Sequence, residues 1–146
     1  MAIDKKYKMV DLFAGCGGLS LGLEQAGFTP WFVNEIIETF CNTYKRNHSL
    51  SDDHYYIGDI NELNSHINDY EKYLSDITLV CGGPPCQGFS MAGARIRKNG
   101  FLEDPRNYLF KHYFNIVKII RPKVFVIENV KGIQTFLGRA FFHTNF

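Results

Sequence analysis

Residues 9–20 read MVDLFAGCGGLS, and this passage decides the fold. The mostly apolar run Met9–Phe13 predicts a buried strand, and the glycines that follow predict a tight turn. A helix is expected from about Leu19, because Leu19, Leu23 and Ala26 recur on one helical face and Gly27 can end it. A strand, a glycine loop and a helix in this order are typical of the first unit of an α/β fold.

The same alternation of short apolar runs and helical stripes continues along the chain. Strand segments recur where aromatic and β-branched residues cluster, and each ends at a polar residue or a glycine. We therefore predict an α/β fold with an open, mostly parallel, Rossmann-like sheet of about five strands and helices on both faces. The further predicted strands are 31–33, 55–57, 77–81 and 124–127, and the predicted helical stripes are 37–44, 63–74 and 109–120.

Composition restricts the classes of function that need to be considered. The 146 residues are 45% apolar, which indicates one folded domain with its own core, and the net charge of +1 leaves any DNA contact to a local patch. None of the four cysteines forms a CxxC pair, so no metal site is expected. No apolar run has the length of a signal peptide or a membrane span, so we expect a cytoplasmic protein without a membrane partner.

The glycine loop and two strand-end acids suggest an adenosine ligand without a diphosphate. Ser20 stands where the third glycine of a GxGxxG dinucleotide motif should be, so the pyrophosphate fingerprint is broken. Glu35 ends the second strand, where a carboxylate can accept both hydroxyls of a ribose. Asp59 ends the third strand and could accept from an adenine amino group. S-adenosylmethionine fits this pattern, although either acid could instead be a helix N-cap.

The segment GPPCQGFS at residues 83–90 is the most informative chemically. Two prolines fix the backbone ahead of Cys86 and cannot extend a central strand, so Cys86 is expected in a rigid loop. A buried structural cysteine would normally lie inside an element, as we expect for Cys41 and Cys81. Activation of a thiol with an ordinary pKa of about 8.5 needs positive charge nearby. The following loop supplies Arg95, Arg97, Lys98 and Arg106.

These motifs resemble those of the cytosine-5 DNA methyltransferases. The match is close at residues 11–18 (DLFAGCGG), 83–90 (GPPCQGFS) and 128–130 (ENV), and weaker at 58–60 (GDI) and 104–110 (DPRNYLF). The resemblance implies an S-adenosylmethionine-dependent enzyme, similar to those of bacterial restriction-modification systems, that methylates C5 of a cytosine flipped out of double-stranded DNA.

The resemblance also implies residue roles. Cys86 would attack C6 of the base, and Glu128 would hydrogen-bond the cytosine N3 and amino group, with a strand-end cap as the alternative for Glu128. The implied cofactor contacts are Phe13, Ala14, Gly15, Gly17, Gly18, Glu35, Asp59, Ile60, Pro84 and Leu109. The implied DNA contacts, which could instead belong to an ordinary solvated loop, are Gln87, Ser90, Arg95, Arg97 and Arg106.

In the family, more chain follows the ENV strand: two further strands, an arginine motif, a target-recognition domain and a closing helix. We therefore expect residues 1–133 to be an incomplete catalytic domain, truncated after about five strands, and leave the status of the tail 134–146 open. The chain could be a fragment, a frameshift remnant or one part of a split enzyme whose second polypeptide carries the other motifs. The isolated chain is expected to be inactive.

Three other functions are compatible with parts of the sequence. A tRNA cytosine-5 methyltransferase would share the fold, although the stretch QGFS at 87–90 is more similar to the bacterial DNA enzymes. A non-catalytic partner that binds S-adenosylmethionine or DNA would not need both Cys86 and Glu128. A nucleotide-dependent oxidoreductase is disfavoured by Ser20 in the glycine loop.

Overall fold

A computed structural model describes residues 7–85 and 109–130 of the chain. Strands and helices alternate along these residues, as the sequence pattern predicted. The strands are β1 Lys8–Leu12, β2 Thr29–Glu35, β3 Tyr55–Ile57, β4 Leu79–Gly82 and β5 Val124–Ile127. The helices are α1 Gly18–Gln25, α2 Glu38–Asn47, α3 Ile60–Ser65, α4 Glu71–Leu74 and α5 Leu109–Ile120.

The strands form one parallel sheet in the order β3-β2-β1-β4-β5. The chain moves outward from β1 to β3 and then crosses to the other side of β1 to begin β4. The carboxyl ends of β1 and β4 therefore flank the point where the strand order reverses, which is where open α/β sheets bind their ligands. The predicted fold class is confirmed.

Alternate residues of each central strand point to opposite faces, and helices cover both faces. Val10 and Leu12 of β1 join a core cluster with Leu63 of α3 and Tyr113 of α5. Met9 faces the other way and packs in a second cluster with Leu79 and Cys81, against the side chains of α1. A third cluster on the α1 side holds residues of β2, β3 and α2. Such burial on both faces explains why the strands read as nearly continuous apolar runs.

Several element boundaries differ from the sequence prediction; β2 spans 29–35 rather than 31–33, and β4 spans 79–82 rather than 77–81. Phe13 lies outside β1, because its φ of 59° turns the backbone out of the extended region. The stripe predicted over 63–74 is divided into α3, a 3-10 turn at 67–70 and α4. Leu63, Ile67 and Leu74 nevertheless all reach the same core cluster, so the apolar spacing persists across the break. None of the described helices has the length and apolar character needed to cross a membrane.

Gly82 marks the closest approach of β4 to the end of β1. A Cβ added to Gly82 would lie 2.3 Å from the carbonyl oxygen of Leu12, whereas a Cβ added to Gly22 in α1 would meet nothing within 4 Å. We expect Gly82→Ala to lower the free energy of unfolding by about 3 kcal/mol through overpacking. Gly22→Ala should raise it by up to about 1 kcal/mol, because alanine is the better helix former. Urea unfolding of both variants tests this, and a Gly82→Ala protein as stable as the parent would contradict it.

Candidate functional site

Polar side chains and glycines gather at the carboxyl edge of the sheet, on both sides of the β1–β4 switch point. The loop 13–18 follows β1, and Gly83-Pro84-Pro85 follows β4. Glu35 ends β2 and Glu128 follows β5 directly. The topology therefore places the strand-end residues singled out in the sequence along one edge of the sheet.

The glycine loop has a strained backbone that only part of its sequence explains. Gly15 and Gly17 adopt φ values of 56° and 90°, which glycine tolerates readily. Phe13 adopts a φ of 59°, which is uncommon for a bulky side chain and typically occurs at ligand sites. The N–H of Gly17 donates to Ala14 O at 3.0 Å, and the N–H of Leu21 donates to Gly17 O at 2.9 Å, so the loop runs directly into α1.

Glu35 connects the glycine loop to the end of β2. Its Oε2 accepts from the N–H of Gly15 at 2.7 Å, and its Oε1 accepts from the N–H of Ile37 at 2.8 Å. The residue is 7% exposed. A carboxylate has about four acceptor positions, so both oxygens retain a lone pair for a further donor. Glu35 can therefore organise the loop and bind a hydroxyl ligand at the same time.

Three neighbours of Glu35 belong to this edge and were not singled out as site residues in the sequence. The buried Asn34 donates through Nδ2 to Gly58 O at 2.9 Å and so joins the end of β2 to the chain beyond β3. Ile36 is 60% exposed, and Ile57, which lies opposite Glu35 in the β2–β3 register, is 41% exposed. Exposed isoleucines beside a carboxylate could pack against the apolar faces of a base. In the sequence, Ile36 could have been identified as a site residue because it is an apolar residue directly after a strand-end acid.

Asp59 is the N-cap of α3, which is the alternative noted in the sequence. Its Oδ1 accepts from the N–H of Asn61 at 2.7 Å, and Oδ2 has no such bond among the described contacts. Ile60 is 3% exposed and belongs to the core cluster on the face covered by α3 and α5, and Leu109 packs against the same cluster. A role of Asp59, Ile60 or Leu109 in cofactor binding stays a prediction.

Residues after β5 hold the Pro-Pro turn after β4. The Glu128 N–H donates to Gly82 O at 3.0 Å, and the Asn129 Nδ2 donates to Pro84 O at 2.9 Å. A Cβ added to Gly83 would lie 3.9 Å from Glu128 Oε2, so this exposed carboxylate stands beside the turn. Asn129 was part of the ENV motif in the sequence but was given no role. Its role here is to fix the backbone just before Cys86.

The described cysteines differ in exposure. Cys41 in α2 and Cys81 in β4 are buried, as predicted, and burial raises the pKa of both thiols, which disfavours the reactive thiolate. Cys16 in the glycine loop is exposed. The other predicted reactive or DNA-contacting residues lie outside the described residues: Cys86, Gln87, Ser90, Arg95, Arg97 and Arg106.

A buried carboxyl beneath the glycine loop was not recognised as functional in the sequence. Asp11 of β1 is 1% exposed and accepts a hydrogen bond from Ser20 Oγ at 2.6 Å, and Ser20 Oγ accepts from the hydroxyl of Tyr44 at 2.7 Å. The pKa of Asp11 is raised to about 7, mainly by loss of solvation; hydrogen bonds from Ser20 and Cys81 act to lower it, and the charges of Glu35 and Glu128 act to raise it. In the sequence, Asp11 could have been identified because it is an acid inside an otherwise apolar strand.

Comparison with known proteins places this geometry in a family. The family described as C-5 cytosine-specific DNA methylase matches residues 7–144. Type II methyltransferase M1.HphI of Haemophilus parahaemolyticus is 45% identical over 130 residues, which are 86% of this chain and 33% of that protein. Type II methyltransferase M.NgoPII of Neisseria gonorrhoeae is 41% identical over 126 residues, 86% of this chain and 34% of that protein.

A solved structure gives the same assignment. A candidate DNA modification methyltransferase encoded within a prophage of E. coli superposes with a TM-score of 0.70 at 34% identity, over 92% of this chain and 36% of that one. The chain thus spans about a third of the length of these relatives. Because the family match extends over residues 7–144, which is nearly the whole sequence, the chain belongs to the C-5 cytosine-specific DNA methylase family.

Proposed function

We propose that the chain carries the cofactor-binding and nucleophile-bearing part of a DNA (cytosine-5-)-methyltransferase of a type II restriction-modification system. The observation that carries this proposal is the contact between the segments after β4 and β5. Asn129 holds the carbonyl of Pro84, and Glu128 lies beside Gly83. Since Pro85 directly precedes Cys86 in the sequence, this contact brings the strand-end acid to the turn that leads into the cysteine.

In this proposal, Cys86 and Glu128 act together on a cytosine flipped out of double-stranded DNA. The Cys86 thiolate forms a bond to C6, and the electrons of the C5–C6 double bond make C5 nucleophilic. Glu128 hydrogen-bonds N3 and the amino group of the base and stabilises the charge that develops on the ring. After C5 is methylated, loss of its proton restores the double bond and expels the cysteine. The predicted DNA contacts, Gln87, Ser90, Arg95, Arg97 and Arg106, would hold the strand around the base.

The carboxyl edge of the sheet fits S-adenosylmethionine as the methyl donor. Glu35 is buried, fixed by two backbone N–H groups and still able to accept from ribose hydroxyls. Ile36 and Ile57 offer apolar surface beside it, and Asp59 Oδ2, which has no hydrogen bond among the described residues, can accept from an adenine amino group. Phe13, Ala14, Gly15, Gly17, Gly18, Pro84 and Leu109 complete the proposed lining, within a domain that we assign to residues 1–133. When it is bound, S-adenosylmethionine supplies an electrophilic methyl group.

The cofactor assignment predicts a specific order of affinities. We expect S-adenosylhomocysteine to bind at least about tenfold more tightly than NAD, because the loop lacks the third glycine of the dinucleotide-binding motif. Glu35→Gln should weaken S-adenosylhomocysteine binding by about tenfold or more, because one of the two backbone N–H groups or the ribose then loses a charged acceptor.

Isothermal calorimetry on the 146-residue chain measures both effects. Glu38→Gln is the matched control, because Glu38 is an exposed acid in the first turn of α2 and its loss changes the net charge equally. Tighter binding of NAD than of S-adenosylhomocysteine would refute the cofactor assignment. Equal effects of Glu35→Gln and Glu38→Gln would refute the role of Glu35.

A further inference from the structure

A chain of buried hydrogen bonds runs beneath the glycine loop and joins three elements. The hydroxyl of Tyr44 in α2 donates to Ser20 Oγ in α1, and Ser20 Oγ donates to the Asp11 carboxylate in β1. The exposed fractions of Tyr44, Ser20 and Asp11 are 0%, 0% and 1%. Ser20 is the third residue of α1, so these bonds tie the first turn of that helix to the strand before the loop. Both ends of the loop are thereby fixed to each other.

The same face of α2 also supports the loop from below. A Cβ added to Gly17 would lie 2.4 Å from Nε2 of His48 and 2.8 Å from Cδ2 of Tyr44, so Gly17 rests directly on these two rings. The rings pack against each other with centroids 4.1 Å apart. His48 Nδ1 is 2.6 Å from Glu24 Oε2 near the end of α1, so a second polar contact joins the two helices.

A neighbouring tyrosine shows that the core at this place does not itself require a hydrogen-bonded hydroxyl. Tyr55 is 9% exposed and packs edge-on against Tyr44, with ring centroids 5.8 Å apart. Its buried hydroxyl has no hydrogen-bond partner among the described residues. The hydroxyls of these two buried tyrosines therefore differ: among the described contacts, only the Tyr44 hydroxyl is bonded to the helix that the glycine loop enters.

We propose that Ser20 and Tyr44 are positioning residues, which fix the glycine loop 13–18 in the conformation that receives the cofactor. The inference rests on the proposed function for the identity of the ligand. The geometry of the loop is independent of that function. The loop holds Phe13, a non-glycine residue, in the left-handed region, which stores strain there and needs external contacts to persist. The Tyr44–Ser20–Asp11 chain and the contact of Gly17 with the Tyr44 and His48 rings are those contacts.

The experiment compares Tyr44→Phe with Tyr55→Phe in the full chain. Each variant removes one buried hydroxyl from the same cluster, but only the first breaks a described hydrogen bond. Hydrogen exchange measured by mass spectrometry reports opening of residues 13–21, and calorimetry reports affinity for S-adenosylhomocysteine. We expect Tyr44→Phe to speed exchange in 13–21 and to weaken binding, each by about five- to tenfold, with exchange in β4 unchanged. Tyr55→Phe should change neither.

Ser20→Ala and the double variant Ser20→Ala/Tyr44→Phe complete a double-mutant cycle with Tyr44→Phe and the parent chain. The double variant should be little worse than Ser20→Ala, because Tyr44 acts through Ser20. Equal exchange in 13–21 for Tyr44→Phe and Tyr55→Phe would overturn the proposal, and so would faster exchange spread evenly over all strands, which would indicate general destabilisation. If the parent chain bound no S-adenosylhomocysteine, the proposed function would fail, and the exchange comparison alone would decide the role in loop positioning.

Discussion

Replacing Cys86 by serine is expected to abolish methyl transfer to DNA, a loss of at least about a thousandfold, because serine has no comparable anionic nucleophile near neutral pH. The chain spans about a third of the length of its relatives, so the assay is made on a chimera that includes the rest of a relative. The chimera joins the chain to the segment of M1.HphI that lies C-terminal to its matched third. Transfer of a tritiated methyl group to mixed-sequence DNA is the readout.

Covalent trapping gives a second, independent readout of the same residue. A fluorine at C5 cannot leave as a proton does, so the cysteine adduct with 5-fluorocytosine DNA should persist in the parent chimera and be absent in Cys86→Ser. Cys16→Ser and Cys41→Ser are the matched controls, one exposed and one buried, and both should still form the adduct. Trapping by the Cys86→Ser protein would show that the mechanism is wrong.

The 146-residue chain by itself is expected to methylate DNA at less than about a thousandth of the rate of the chimera. Duplex binding and base flipping cost free energy that further phosphate and groove contacts must offset. A misplacement of the reacting groups by about 1 Å would cost roughly a further hundredfold. The relatives are about three times as long as the matched segment, so they have chain available for these contacts.

Within the described residues, β5 is an edge of the sheet, and we expect additional chain to pack against it. β5 pairs with β4 alone among the described strands, and its Val124 and Phe125 are 44% and 46% exposed. An edge strand with apolar side chains tends to associate with another chain. We therefore expect the isolated chain to self-associate, and a co-expressed C-terminal segment of M1.HphI to replace this self-association with a mixed complex and to restore activity.

Paired lysine substitutions test this surface. Val124→Lys should weaken copurification with the C-terminal segment, whereas Leu21→Lys, at a position that is 50% exposed on α1, should not. Rapid methylation by a monomeric preparation of the 146-residue chain would contradict the expectation. Equal copurification of the two lysine variants would show that β5 is not the contact surface.

The sequence alone was sufficient to predict the fold class and the family. Apolar runs separated by helical stripes predicted five strands with a helix between each strand and the next, and the glycine turn after Met9–Phe13 marked the end of the first strand. Parallel strands place all their carboxyl ends at one edge, so Glu35 and Glu128 could be assigned to that edge without coordinates. Secondary structure can be predicted from such local patterns, because the hydrophobic period and the turn residues depend on neighbouring positions in the sequence.

Only the tertiary structure revealed what supports the site. Tyr44 and Ser20 are 24 positions apart, and Asn129 and Pro84 are 45 apart, so no local pattern could pair them. The sequence allowed the Asp59 side chain to be a helix cap, but only the coordinates showed its bond to Asn61, and its role toward the cofactor stays a prediction. Backbone strain at Phe13 was likewise invisible, because phenylalanine seldom adopts positive φ. Sequence determines which residues can react or bind, whereas long-range packing decides which side chains hold them in place.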